Sequence, residues 1–350
     1  MHNNGFRHRV LFLLTVSIST AICLLSLLNA NLVSANVTSL ANKTEILQKP
    51  QSMLTTGDLS LLPAGIQIVN EGINKTGGNL TDGLPDSKVD PETVSDNALL
   101  ASIFATDLSN RLNQSASLLE ITAELPQVRN TSFANLLNQT LGTLHGVPQH
   151  IDTEKRMLAK NILSSKDSDL FEVFYLMPNG DMYMIEPYST QETLTANNYA
   201  FRDYFQGTVR YNDTYLGNAI TTTAASGVRE AVMTVPVFSL DDNATLAGVW
   251  AGGIDFGRIN QELQAFKLDE RNKRVVYVDS NGEKISDSDS LLSNKFESFG
   301  KLNSFKNAVR GEAGYGIETA NGKKTIITCH PVNAFHNTWA VLVIEPFVSP

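Results

Sequence analysis

Phe171-Glu172-Val173-Phe174-Tyr175-Leu176, then Met177-Pro178-Asn179-Gly180-Asp181, then Met182-Tyr183-Met184-Ile185 is the stretch on which the reading of this chain turns. Two runs rich in aromatic and branched residues are joined through Asn-Gly, a pair that accepts the positive φ of a tight turn, and this predicts a β-hairpin. Upstream, Leu99, Leu100, Ile103, Leu108, Leu112, Leu118, Leu119 and Ile121 recur near a 3.6-residue spacing, with no Gly or Pro between Leu99 and Pro126. That predicts one long amphipathic helix capped by Ser95 or Asp96. Shorter helices are expected over 133–144 and 153–163. Downstream, strands are expected over 218–223, 229–238 and 245–254, then a helix over 256–266 with Asp255 at its N-cap. From Arg274 the scheme returns in shorter form. Arg274-Val275-Val276-Tyr277-Val278 leads into Asp279-Ser280-Asn281-Gly282, a helix falls within 296–309, and strands follow over 314–319, 323–332 and 338–344. The order of strand, Asn-Gly turn, helix and three strands occurs twice, which predicts a duplicated α+β module with antiparallel sheets.

The N-terminus has a different character. Arg7 and Arg9 precede an apolar run over 10–28, and no acidic residue appears before Glu45, the pattern of an export signal. Val33-Ser34-Ala35 fits a cleavage site, while the length of the run approaches the ~20 residues that cross a bilayer. Residues 1–35 are therefore a signal peptide or an N-terminal membrane anchor, and the rest of the chain is extracellular or at the cell surface. Residues 36–95, rich in Asn, Thr, Ser and Gly, have no sustained period and read as a flexible linker. Asn-x-Ser/Thr sequons stand at Asn36, Asn42, Asn74, Asn79, Asn113, Asn130, Asn138, Asn212 and Asn243, candidate glycosylation sites in an exported chain. Cys23 and Cys329 cannot build a disulfide framework. With 27 Lys and Arg against 36 Asp and Glu, the net charge of −9 excludes nucleic acid as the main partner.

The middle of the chain carries a family resemblance. The order of long helix, strand-Asn-Gly-strand, Arg202-Asp203-Tyr204-Phe205, Val235-Pro236-Val237 and Gly248-Val249-Trp250-Ala251-Gly252-Gly253-Ile254-Asp255 resembles the double Cache (dCache) extracellular sensor domain. Val276-Tyr277-Val278-Asp279-Ser280-Asn281-Gly282, Gly311-Glu312-Ala313-Gly314 and Trp339-Ala340-Val341-Leu342 are similar to that family's membrane-proximal module. The resemblance spans about residues 96–347. It implies a long N-terminal helix followed by two PAS-like modules, a distal one over 96–270 that binds a small molecule and a proximal one over 271–350. In the family's amino-acid-binding branch the pocket carries a Tyr, an Arg-x-Trp-Tyr stretch and two Asp residues. Here Tyr199, Arg202, Tyr204 and Phe205 match the first part, with Tyr for Trp and Phe for Tyr. Asp255 matches the last Asp, and Gly217 stands where the other is expected.

Chemistry supports the same residues. Arg202 offers a planar fork of donors for a carboxylate, flanked by the hydroxyls of Tyr199 and Tyr204. Each has a plain structural reading as well: Arg202 as an ion pair with Asp203, Asp255 as a helix cap, Tyr215 as the start of a strand rather than a pocket wall. Arg229 beside Glu230 reads as an exposed cross-strand pair. His330 and His336 read as solvated loop residues. The chain has no His-Glu-x-x-His, Cys-x-x-Cys, Gly-x-Ser-x-Gly or Gly-Lys-Ser motif, so no catalytic residue, metal or cofactor is expected. The expectation is a sensor module for a carboxylate or amino-acid-like ligand. As the sequence stops at Pro350, it is expected to signal through a membrane-bound partner in trans. The alternatives are a glycosylated surface or solute-binding protein, and a fragment of a longer receptor.

Overall fold

Asp90 and Pro91 open the long helix α1 (Pro91–Ala123). The Asp90 Oδ2 accepts from Thr93 N at 3.2 Å, and Pro91 occupies the first turn, where its missing N–H leaves no hydrogen bond unmade. The helix thus begins ahead of the expected Ser95 or Asp96 cap, and the last residues assigned to the linker are helical. This is a computed structural model, describing residues 89–165, 168–221, 229–242, 244–268, 272–292, 295–320 and 322–348. They belong to one compact unit, Gln67–Pro350. The N-terminal export segment, Cys23 and the sequons at Asn36, Asn42, Asn74, Asn79 and Asn243 lie outside the described residues. The sequons at Asn113, Asn130, Asn138 and Asn212 are all exposed. Among the described residues no helix is long and apolar enough to cross a membrane.

The stretch 133–144 does not form one helix. A short turn α2 (Pro126–Arg129) leads to a 3-10 segment (Ser132–Leu136) and one turn of helix, α3 (Leu141–Leu144). Leu137 and Thr140 between them are extended. Residues 138–140 are exposed, so no buried face offsets the ordering cost of a continuous helix. Helix α4 (Thr153–Ser164) starts at Asp152.

The distal sheet comprises β1 (Leu170–Leu176), β2 (Met182–Glu186), β3 (Tyr215–Leu216), β6 (Val232–Phe238) and β7 (Leu246–Ile254), and between its strands lie α5 (Tyr188–Glu192) and α6 (Asp203–Tyr211). Of the expected strand over 218–223, residues 222 and 223 lie outside the described residues, 218 and 219 are not in a strand, and β4 (Ile220–Thr221) pairs with β5 (Arg229–Glu230) in a separate ribbon. Helix α7 (Phe256–Gln264) follows, capped as expected by Asp255, whose Oδ1 accepts from Arg258 N at 3.0 Å. The proximal sheet contains β8 (Arg274–Val278), β9 (Lys284–Asp287), β10 (Gly314–Ala320), β11 (Lys323–Ala334) and β12 (Asn337–Pro346), with α8 (Asn303–Ala308) between β9 and β10.

The spatial orders are β2-β1-β7-β6-β3 and β9-β8-β12-β11-β10. Numbered within each sheet, both read 2-1-5-4-3, so the duplication seen in the pattern is a duplication of topology. The hairpins share one device. Gly180 and Gly282 have φ of 86° and 87°, and a Cβ on either would fall 2.6 Å or less from backbone of residue 200 or 300. Only glycine satisfies both demands.

Alternation along the strands separates two faces. Val173 and Tyr175 of β1, and Val275 and Tyr277 of β8, pack in one core with Leu108, Leu112 and Leu119 of α1. Phe174 and Leu176 point into a second core under α6, and Val276 and Val278 into a third under α8. The long helix covers one face of both sheets, and each sheet keeps its other face for its own small helix.

Candidate functional site

The outer core of the distal module encloses a cavity. Glu172 and Phe174 of β1, Met182 and Ile185 of β2, Leu194, Tyr199, Arg202, Tyr204 of α6, Ile220 of β4, Glu230 of β5 and Val232 of β6 line it. Its free volume is about 20 Å³, room for about one water. Apolar walls carry a few convergent polar groups, the composition of a small-molecule site. Arg202 stands at the N-cap of α6 with its guanidinium 5.0 Å from the Phe201 ring, and its buried Nε has no hydrogen-bond partner among the described residues. Tyr199 donates from its hydroxyl to Ala196 O at 3.0 Å, and Tyr204 meets Phe174 edge to face at 6.2 Å. Burial pushes the Tyr204 hydroxyl well above its ordinary pKa.

Two acids complete the lining. Glu172 and Glu230 are 4% and 3% exposed and share a hydrogen bond. Burial pushes Glu172 up to about 7 against the pull of that bond. Burial, the charge of Glu172 and the same bond hold Glu230 well above the usual carboxylate range, opposed by Arg202. Each acid keeps an Oε2 without a partner. They fit because residue 253 of β7 is glycine: a Cβ there would lie 2.4 Å from Glu230 Oε2 and 2.8 Å from Glu172 Cγ.

The duplicated module shows what is special here. Tyr199 N donates to Gly180 O at 2.8 Å, and Phe299 N donates to Gly282 O at 2.7 Å. Arg202 N donates to Tyr199 O, Leu302 N donates to Phe299 O, both at 3.0 Å, and each caps its module's helix. Tyr199 and Arg202 thus correspond to Phe299 and Leu302. In the proximal module the position of Arg202 is aliphatic, and Val276, Val278, Phe299, Phe305 and Ile327 form a continuous core.

Of the residues singled out from the sequence, Tyr199, Arg202 and Tyr204 meet at the cavity, and Phe205, Tyr215 and Asp255 do not line it. Phe205 packs in the adjoining core. Tyr215 begins β3, with its ring stacked on Tyr211 at 5.9 Å. Asp255 caps α7. The Asp203 carboxylate accepts from Tyr204 N and Asn218 N, both at 2.8 Å, in place of the expected ion pair with Arg202. At Gly217 a Cβ would come 3.0 Å from Tyr204 Cβ and 3.1 Å from Asp203 Oδ1, which leaves little space for an Asp. The exposed Arg229–Glu230 pair is corrected too: Glu230 turns into the cavity, while Arg229 donates to Lys284 O at 2.7 Å. His336, expected in solvent, stacks on Tyr211 at 4.3 Å, with its Nε2 2.9 Å from Asp213 Oδ2. The sequence reading missed both glutamates. The available signal was the alternation Glu172, Phe174, Leu176, which puts the acid on an apolar face. Among the described residues no group of three His, Cys, Asp or Glu side chains is placed to hold a metal.

Two PAS-like modules of identical topology share one long helix, and a pocket opens in the first. The family model described as Cache domain matches residues 86–348, and the chain belongs to that family. Its fold is shared by the periplasmic sensory domain of the Campylobacter jejuni chemoreceptor Tlp1, at 18% identity and a TM-score of 0.51 over 74% of this chain and 96% of that one. The ligand-binding domain of the Pseudomonas aeruginosa PAO1 amino acid chemoreceptor PctB, solved with L-Arg, aligns at 14% identity and a TM-score of 0.51 over 73% and 96%. At these identities the likeness establishes the fold. No curated protein sequence matches the chain.

Proposed function

We propose that this protein is an extracellular small-molecule sensor module that binds a carboxylate or amino-acid-like ligand in its distal module and passes its state to a membrane-bound signalling partner. The observation that carries this is the asymmetry between the modules. One fold is present twice, and one copy only has the Tyr199 and Arg202 pair at a cavity where the other has Phe299 and Leu302. A buried guanidinium Nε without a partner is costly to a fold that gains nothing else from it, and a ligand carboxylate supplies its complement. PctB, of the same fold, was solved with an amino acid. The free volume is smaller than any such ligand, so binding requires the lining to open. Among the described residues, the β4–β5 ribbon, which contributes Ile220 and Glu230, is joined by two residue pairs.

A surface or solute-binding protein needs only the pocket. The sensor reading is favoured by contacts from that same ribbon to the proximal module: Ala219 N donates to Asp279 Oδ2 at 2.9 Å, and Arg229 donates to Lys284 O.

The test is a thermal-shift screen of the purified protein against amino acids, short carboxylates, amines and purines. A ligand at 100 times its Kd adds about 2.7 kcal/mol to the folded state. Arg202→Ala should weaken a carboxylate ligand roughly 10- to 100-fold, the ~1.5–3 kcal/mol of a charge-assisted hydrogen bond. Equal responses in parent and variant would remove Arg202 from the site, and silence across the screen would favour the surface-protein reading.

A further inference from the structure

We propose that the tip of the β11–β12 hairpin is a strap that couples the pocket helix α6 to β12, so that a shift of α6 at the cavity is carried into the proximal sheet. This goes beyond the sensor reading and rests on it only for what the strap would serve.

The turn at the tip is built from the wrong residues for a turn alone. Ala334 pairs with Asn337, so Phe335 and His336 form a two-residue loop, with φ of 48° and 66°. Such a loop favours Asn-Gly, and a bulky side chain at positive φ is rare. The chain places Asn-Gly at 179–180, 281–282 and 321–322. At 335–336 it keeps two rings instead, and each ring has a contact. Phe335 packs against the core that both modules share with α1. His336 stacks on Tyr211 with ring planes 7° apart, and its Nε2 stands 2.9 Å from Asp213 Oδ2. The next residue, Asn337, donates from Nδ2 to Leu216 O at 2.6 Å. Three consecutive residues of the proximal module thus hold the end of α6 and the start of β3, and these contacts offset a backbone conformation that the side chains disfavour.

The part that is held belongs to the pocket. Arg202 caps α6, Tyr204 lies in its first turn and Tyr211 is its last residue, about 13 Å along the axis. Gly207 lets the Tyr215 ring lie against the helix, since a Cβ there would fall 2.5 Å from that ring. Thr208 Oγ1 of α6 meets Thr234 Oγ1 of β6 at 2.6 Å. Helix α6 and β3 therefore move as one body, with the cavity at one end and the strap at the other. From the strap, β12 runs from Asn337 to Pro346, about 30 Å of strand. Strand β8 pairs with residues 340–344 of it, so residues 337–339 lie between the strap and the reach of the β4–β5 ribbon. The stack can also part without opening a cavity in the core, because Tyr211 is 44% exposed.

Hydrogen exchange on the purified protein without ligand tests this. Arg202→Ala disturbs the pocket end of α6 and should change exchange at amides 338–341 by about threefold or more. His336→Asn removes the ring with a residue that tolerates positive φ. In that background the Arg202→Ala effect on the same amides should vanish. Tyr211→Ala, at an exposed position, should abolish it as well, and Tyr211→Phe, which keeps the stack, should preserve it. Circular dichroism confirms that each variant is folded. Stacking that served stability alone would lower the unfolding midpoint in the His336 and Tyr211 variants and leave the effect of Arg202→Ala at 338–341 in place. That persistence, or no effect of Arg202→Ala at these amides in the parent background, overturns the strap and leaves the sensor reading standing. The thermal-shift screen judges that reading separately, and silence there with the strap effect intact overturns the sensor reading alone.

Discussion

Glu172 gives the unliganded protein a pH dependence of its own. Its carboxyl, ordinarily near 4.5, is held at about 7 by burial, so between these values the folded chain keeps a proton that the unfolded chain loses. The stability this contributes is complete below about pH 4.5 and is lost as pH rises through about 7. At about 1.4 kcal/mol per pKa unit the loss amounts to roughly 3 kcal/mol. Glu172→Gln should remove that slope and leave the variant more stable than the parent at pH 8, read from urea unfolding between pH 4.5 and 8. Parallel slopes in the two proteins would mean that both acids are already ionised in the free fold. At this scale the sequence was half legible. Tyr199, Arg202 and Tyr204 lie in one short segment, and that segment's spacing carries them to the site together. Glu172 and Glu230 are brought together only by pairing of β1 and β6 with β7, opposite a glycine far along the chain. Beside Arg229, in two residues of strand, Glu230 has no local mark of burial.

At the scale of elements, the β4–β5 ribbon touches the cavity on one side and the second module's Asn-Gly turn on the other. Asp279, which opens that turn, accepts from Ala219 N, and Ser280 Oγ hydrogen-bonds Asn218. Arg229 adds the bond to Lys284 O and lays its guanidinium 4.4 Å from the Phe296 ring. A ligand that moves Ile220 or Glu230 must move partners of β8 and β9. In hydrogen exchange, ligand should therefore slow amides over 274–287 as well as those around the cavity. Arg229→Ala, which loses contacts of about 1 kcal/mol, should leave binding within a few-fold and abolish the remote slowing. Persistence of that slowing in the variant would leave the coupling to the Ala219–Asp279 and Asn218–Ser280 bonds, to the hairpin tip or to α1. The ribbon itself was hidden in the sequence. Residues 218–223 read as one strand, whereas Gly217, Asn218 and Ala219 are spent on contacts with Val232, Asp203 and Asp279, and pairing resumes only at Ile220.

At the scale of the molecule, α1 ties the modules into one cooperative structure. Leu108, Leu112 and Leu119 share a core with Trp250 of the distal sheet and Trp339 of the proximal sheet. Polar contacts fasten the helix along its length: Asn97 donates to Glu345 at 2.8 Å, Arg111 makes two 2.8 Å bonds to Asp169, and Trp250 Nε1 donates to Thr122 Oγ1 at 3.0 Å. The duplication and the helix were legible because both rest on local signals, an Asn-Gly turn and a 3.6-residue period, repeated over long stretches. Joint unfolding follows from the shared core. The chain has two tryptophans, both fully buried and one in each module, so Trp250→Phe and Trp339→Phe each leave a reporter for the other module. The two single-tryptophan proteins should each unfold in one transition, with the far-ultraviolet circular dichroism of each falling at the same midpoint as its fluorescence. Leu108→Ala, which empties a site common to both modules, should lower both midpoints by the equivalent of about 2–5 kcal/mol. If it shifts the Trp250 signal and leaves that of Trp339 in place, the modules unfold separately and the helix belongs energetically to the distal module alone. In that case a ligand bound in the cavity would reach the proximal sheet only through the ribbon and the hairpin tip.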